Sequence, residues 1–373
     1  MEGVRQYGTC FQNLGHRVEV VTLDDPHADF VKEFPLYVHA LGPVLGKYGY
    51  NRNLVPWLRA HAQQYDVIVV NGLWQYHSLA TWRALRKGGV RYYLYTHGML
   101  DPWFKLKYPL KHLKKLLYWT LAEYRVLRDA KAVLFTTEEE RLMARSSFRP
   151  YRATERVVGF GTAVPPANSE VLRDRFLARR TALRDRRIIL FLGRIHEKKG
   201  CDLLLRAFAS VLSREDSAQL VFAGPDETRW VPQLQAIARE LGVDGRVSWE
   251  GMLRGDDKWG AFYSAEVFVL PSHQENFGVA VAEALGCGLP VLISDKVNIW
   301  REVQQERAGL VAPDTQLGTN QLLNQWLDLT GEQRRVMGES ARRLFTERFA
   351  IDVAARNLLG VLADLGQSGA LPA

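Results

Sequence analysis

The chain has 373 residues, 47% hydrophobic and 24% charged, an ordinary globular composition with material for two cores. No apolar run approaches the roughly 20 residues that a membrane-spanning helix needs. The three cysteines, Cys10, Cys201 and Cys287, form no C-x-x-C pair, which argues against a disulfide framework or a zinc site. The formal net charge is +8, and residues 1–165 hold the whole excess: 23 Lys and Arg against 14 Asp and Glu, with 26 against 27 in the remainder. A basic half points to a membrane surface, a nucleic acid or a phosphorylated substrate.

Taken in chain order, residues 2–14 read as a helix with Val4, Tyr7, Phe11 and Leu14 on one face, ended by Gly15. Short apolar strands follow at residues 17–22, 66–71, 91–96 and 130–135, separated by helical stretches. The segment 103–128 carries Leu110, Leu113, Leu117, Leu121 and Tyr124 at helical spacing. Lys107, Lys111, Lys114 and Lys115 lie largely off that stripe. Two readings stand side by side: a core-packed helix with a solvated basic face, and a basic face laid on an anionic membrane while the leucines pack inward. No recognised nucleic-acid module accompanies these lysines, so no nucleic-acid partner is expected.

Residues 159–169 are rich in Gly and Pro and read as an interdomain linker. Beyond them, strands are expected at 188–192, 219–223, 246–249, 266–270, 290–294 and 309–311, and the last helices at 332–365. Alternating strands and helices predict an α/β protein with two Rossmann-like, doubly wound parallel sheets. The domains are drawn at 1–163 and 164–349, with a last helical segment at 350–373. There is no G-x-G-x-x-G after a strand, no G-x4-G-K-[ST], no D-x-D and no G-x-S-x-G, so dinucleotide, P-loop, metal-bridged pyrophosphate and serine-hydrolase readings fall away.

Two segments carry the chemistry. In the first, the strand at 188–192 runs into Gly193-Arg194-Ile195-His196-Glu197-Lys198-Lys199-Gly200. It places a guanidinium and an ammonium just past a strand end, where they suit a phosphate. In the second, the strand at 266–270 runs into Pro271-Ser272-His273-Gln274-Glu275-Asn276-Phe277-Gly278, and a small-residue helix starts near Val279 with Glu283 in its second turn. Backbone N–H groups at that helix start favour an anion, and the two carboxylates suit sugar or ribose hydroxyls. Either acid alone reads as an ordinary surface residue; the combination does not.

These segments resemble glycosyltransferase family 4, the retaining nucleotide-sugar transferases of GT-B fold. Gly193-Arg194 through Lys199-Gly200 match the family's G-R-x(n)-K-G segment. Glu275 to Glu283, with Phe277-Gly278 between and Gly288-Leu289-Pro290-Val291 after, match its E-x7-E segment, and Thr96-His97-Gly98-Met99-Leu100 is a third match. The resemblance implies that Arg194 and Lys199, helped by Gly193 and the amides of Gly278 and Val279, hold the diphosphate. It gives Glu275 the sugar hydroxyls beside a developing cation and Glu283 the ribose. Asn276 and Phe277 present backbone groups to the sugar, and His97 contacts the donor sugar. It also implies transfer with retention, no cofactor, no metal, and a last helix that crosses back onto the first domain. The donor would be a UDP-, GDP- or ADP-sugar. The acceptor would be a glycan or lipid-linked glycan of a bacterial surface polysaccharide. The protein would be cytoplasmic, peripheral at the inner face of the plasma membrane through Lys107 to Lys115.

Two alternatives share the donor site: a GT-B sugar-nucleotide epimerase, and an impaired or non-catalytic nucleotide-sugar-binding protein. The start of the chain favours the second. Residues 1–3 leave no room for the apolar strand and Gly-rich turn with which the resembled family begins. A first domain with a missing or substituted central strand is therefore expected, with weak or no transfer.

Overall fold

The structure is a computed structural model that describes residues 2–102, 105 and 109–367. The chain divides into two compact units, Met1–Phe160 with Ile351–Ala373, and Gly161–Ala350. Both are built on parallel sheets, so the α/β class with two parallel-sheet domains is found.

In the second unit the strands are β7 (Arg187–Leu192), β8 (Ala218–Ala223), β9 (Val247–Trp249), β10 (Val267–Leu270), β11 (Val291–Ser294) and β12 (Gly309–Ala312). They form one sheet in the order β12-β11-β10-β7-β8-β9, every pair parallel. All six were legible as strands because a sheet covered on both faces needs near-continuous apolar runs. The four residues of β10, for example, are all buried. The chain steps outward from β7 in one direction through β8 and β9, and in the other through β10 to β12. The order reverses between β7 and β10, where the loops that follow those two strands lie side by side. That is where open α/β sheets bind ligands.

In the first unit, β3 (Ile68–Asn71), β4 (Tyr92–Tyr95), β5 (Ala132–Phe135) and β6 (Glu155–Val157) make a four-stranded parallel sheet. Successive side chains of β4 serve opposite faces. Tyr92 and Leu94 enter one apolar cluster with Trp119, Val126 and Phe135. Tyr93 and Tyr95 enter another with Tyr7 of the helix Glu2–Asn13 and with Ala354, Ala355, Leu358 and Leu362 of the helix Ile351–Gln367. The terminal helices therefore pack together on one face of this sheet, and the Tyr93 hydroxyl donates to the Leu362 carbonyl at 3.4 Å.

Two differences from the sequence reading concern strands. β1 is Glu19–Thr22, and it pairs in parallel with β2, Tyr37–Ala40, in a separate two-stranded sheet. β2 and β6 went unread, since both are short and part-exposed, and neither has the apolar run that marks a buried strand. Among the described residues, β3 pairs with β4 alone and β1 with β2 alone.

The third difference concerns the basic helix. It runs as Pro109–Tyr118, a π-helical turn Trp119–Glu123, and Tyr124–Asp129. The leucines do not pack inward: Leu110, Leu113, Leu117 and Leu121 are 84%, 64%, 64% and 62% exposed. The inward face is aromatic instead. Trp119 is fully buried, His112 stacks on Phe148 at 4.8 Å, and the Lys115 ammonium lies 4.5 Å from the Trp74 ring centre. Large rings bury about 150–250 Å² each, more than a leucine can, so the aromatic face takes the core. Spacing alone could not choose between two apolar faces. Lys107 and the Lys111 side chain lie outside the described residues.

Candidate active site

At the end of β7 the backbone is drawn against its neighbours. Gly193 N–H donates to the Ala223 carbonyl at 2.9 Å. A Cβ on Gly224 would stand 1.8 Å from the Gly193 carbonyl oxygen, so β8 must continue into a glycine there. Residues 197–199 form a short 3-10 turn. Its start is capped by His196 Nδ1, which accepts from the Lys198 N–H at 3.0 Å. Gly200 closes the turn at φ +67, where a Cβ would lie 2.2 Å from the Pro271 carbonyl oxygen. The β7 loop thus touches the β10 loop through a position that only glycine tolerates. Lys198 ties the same two loops: its carbonyl accepts from His273 N–H at 2.8 Å and from Ser272 Oγ at 2.9 Å.

This contact brings Lys199 and Glu275 together. Their side chains form an ion pair, and Lys199 is buried. Glu275 is fixed through its backbone as well. Its N–H donates to Lys296 at 2.9 Å and its carbonyl accepts from Asn298 N–H at 3.0 Å. Gly278, at φ +79, turns the chain into the helix Val279–Gly286; a Cβ there would sit 3.3 Å from Glu275 Cγ. The first N–H groups of a helix have no partner within it and suit an anion. Phe277 is buried and packs edge-on against Phe349 at 5.4 Å, which anchors the loop. Asn276 is half-buried, and Val279 is exposed at the helix start.

Arg194 is not drawn into this cluster. Its guanidinium is exposed, with Glu227 as its ion-pair partner at 3.9 Å. Glu283 is buried and accepts from Lys258 Nζ at 2.7 Å. Lys258 was missed in the sequence. It lies in the helix Gly255–Ser264, and no pattern ties it to a carboxylate 25 residues away.

His97, in the first unit, follows β4 in the left-handed region at φ 48. The ring stacks on Tyr95 at 4.6 Å, and its Nε2 is 2.9 Å from Asn71 Oδ1. Burial pushes the imidazole below its ordinary value, which favours the neutral ring. Two glutamates that sequence reasoning missed hold the surrounding backbone. Glu140 Oε1 accepts from Thr96 Oγ1 and Gly98 N–H, each at 2.6 Å, bracketing His97. Its other oxygen accepts from Thr136 N–H at 2.7 Å and Thr136 Oγ1 at 2.6 Å. Glu123 Oε1 accepts from Trp74 N–H and Ser78 Oγ, both at 2.8 Å. Trp74 is itself left-handed at φ 72, and its indole N–H donates to the Met99 carbonyl at 3.1 Å. Burial raises Glu123 to about 7, and its Oε2 has no hydrogen-bond partner among the described residues. The Thr-x-x-Glu signal of a helix start is legible at Thr137 to Glu140; that the acid turns back to Thr96 and Gly98 is not.

Two family models together cover almost the whole chain: a glycosyl transferase 4-like domain over residues 2–161 and glycosyl transferases group 1 over residues 174–344. The chain belongs to the GT4-like glycosyltransferases. Among its relatives, an uncharacterized glycosyltransferase of Methanocaldococcus jannaschii is 30% identical over 182 residues, 48% of this chain and 45% of that protein. The alpha-D-kanosaminyltransferase of Streptomyces kanamyceticus is 27% identical over 251 residues, 66% of this chain and 63% of that one. The matched stretches thus span less than two thirds of either relative. Sucrose-phosphate synthase from Thermosynechococcus elongatus has the same fold, with a TM-score of 0.76 at 21% identity over 98% of this chain and 93% of that one. So does Anabaena HepE, solved with UDP and glucose, with a TM-score of 0.75 at 17% identity over 97% and 96%. GT-B glycosyltransferases are thus the chain's structural neighbours. Among the described residues no cluster of three or more His, Cys, Asp or Glu is placed to hold a metal ion.

Proposed function

We propose that this GT4-like protein transfers a sugar, with retention and without a metal, from a nucleotide-sugar to a glycan or lipid-linked acceptor. The observation that carries this reading is the Lys199–Glu275 pair, held where the strand order of the second unit reverses and beside the helix start at Gly278. In the free protein the two charges satisfy each other. A donor would part them, the ammonium turning to the diphosphate and the carboxylate to the sugar. As the bond from the anomeric carbon to the diphosphate oxygen breaks, its electron pair leaves with the diphosphate. Lys199, Arg194 and the amides around Gly193, Gly278 and Val279 would take up that negative charge in the role a metal ion serves elsewhere. Glu275 would stand by the positive charge left on the ring, with Asn276 and Phe277 offering backbone groups to the sugar. The acceptor hydroxyl would attack on the face the diphosphate leaves and pass its proton to the departing diphosphate oxygen. Glu283, already paired with Lys258, would accept the ribose hydroxyls, and His97 would offer the sugar a neutral hydrogen-bonding ring.

HepE, whose fold this chain shares, was solved with UDP-glucose, so UDP-sugars are the first donors to screen, ahead of GDP- and ADP-sugars. The reading extends to an enzyme of bacterial surface polysaccharide assembly, working in the cytoplasm at the inner face of the plasma membrane. No helix among the described residues is long and apolar enough to cross a membrane, so such an enzyme would meet a lipid-linked acceptor from the side. Thermal-shift screening identifies the donor. With that donor, Arg194→Ala and Lys199→Ala should each slow turnover by about 10²–10³, the size of a lost preorganised donor. Folded variants that turn over at the parent rate would remove the assignment.

A further inference from the structure

We propose that the row Leu110, Leu113, Leu117 and Leu121 is an insertion surface that seats the first unit in the headgroup region of an anionic bilayer. The inference rests on the reading of this protein as an enzyme beside a membrane, and it reverses which residues make the contact.

Four leucines at helical spacing, each more than 60% exposed, form a continuous apolar row. This side of the helix is not one that lost its packing partner, because the opposite side is fully occupied. Trp119 is buried, His112 stacks on Phe148, and Tyr118 meets Tyr48 hydroxyl to hydroxyl at 2.5 Å. The helix is thus held rigidly by aromatic rings and displays leucine outward. A row of this kind beside basic residues suits an interface in which side chains sink below the headgroups while the charges stay at their level.

Charge names the occupant. Lys114, which follows Leu113 in the row, is exposed. Residues 1–165 carry the entire positive excess of the chain, 23 basic against 14 acidic residues. A protein partner or a second copy would be as well served by a neutral surround, whereas an anionic bilayer gains from both features. Lys115, read from the sequence as a headgroup contact, is instead drawn over the Trp74 ring and is a structural residue.

The test uses the full chain with vesicles of phosphatidylcholine alone and of phosphatidylcholine mixed with phosphatidylglycerol. Wild type should sediment with the mixed vesicles. Leu113→Cys carrying an environment-sensitive fluorophore should shift to shorter wavelength on contact. L110Q/L113Q/L117Q/L121Q should weaken binding at least roughly 100-fold, and Lys114→Gln only about fivefold. Near-UV circular dichroism and the thermal unfolding midpoint of the fourfold variant, equal to wild type, verify its folding. Vesicle binding that survives loss of the leucines, or a fluorophore that stays in water, would overturn the proposal. So would a concentration-dependent dimer, broken by the fourfold variant, in a protein that ignores vesicles. Failure of the transferase reading looks different: vesicles are bound but no donor is turned over, which leaves the insertion surface supported.

Discussion

The candidate-site acids of the two units are held by different chemistry. In the second, acids meet cations: Glu275 with Lys199, and Glu283 with Lys258. In the first, acids meet neutral donors: Glu140 takes backbone and hydroxyl hydrogens of Thr96, Gly98 and Thr136, and Glu123 takes those of Trp74 and Ser78. The difference is instructive. An ion pair can be parted by a substrate that brings its own negative charge and hydroxyls, because each partner finds a replacement. A carboxylate serving as the cap of several backbone groups has no such exchange open to it, and its loss leaves buried donors stranded. Under the proposed function the second unit would rearrange on binding, while the first keeps its left-handed residues in place.

The sharpest break of this comparison is Glu140→Ala. It removes the acceptor shared by the Thr96 and Thr136 hydroxyls and the Gly98 and Thr136 N–H groups, and should cost about 4 kcal/mol, read by denaturant unfolding. A cost under about 1 kcal/mol would make Glu140 an incidental contact.

Glu123 gives the next largest effect, and its sign is fixed by burial. The folded carboxyl holds its proton up to about 7, against the ordinary 4.5. Between those values the folded state binds a proton that the unfolded state has released, so stability falls as pH rises. The loss is complete once pH passes about 7, and amounts to about 3 kcal/mol at 1.36 kcal/mol per unit. Glu123→Gln, which keeps an acceptor for Trp74 and Ser78 but cannot ionise, should remove that slope. Unfolding curves at pH 5, 6, 7 and 8 read it directly, and identical pH dependence in both proteins would refute the buried-acid account.

The smallest effects sharpen the contrast within the second unit. Glu283→Gln should weaken the nucleoside diphosphate and the intact donor alike, because its role is with the ribose. Glu275→Gln should impair transfer more than it impairs diphosphate binding. Calorimetry with the free diphosphate separates them, and equal losses would merge the two roles.

Much was open to reading from the chain itself. β7, β8, β10 and β11 are largely apolar runs of four to six residues, because a sheet buried on both faces leaves no polar alternation. Gly200 stands where positive φ and close backbone approach leave no other residue, and Gly278 turns the chain at φ +79 among close side chains. Hence the site motifs and the fold class were visible as local order. Partner choice was not. That Glu283 meets Lys258, that Glu140 turns to Gly98, and that Glu123 supports a left-handed Trp74 depend on contacts between segments far apart in sequence, and no local spacing encodes them. Nor did periodicity tell which face of the helix Pro109–Tyr118 is buried. Both faces are apolar, and the choice went to the aromatic one because the pocket around Phe148 and Trp74 exists only after the strands and helices of the first unit have come together.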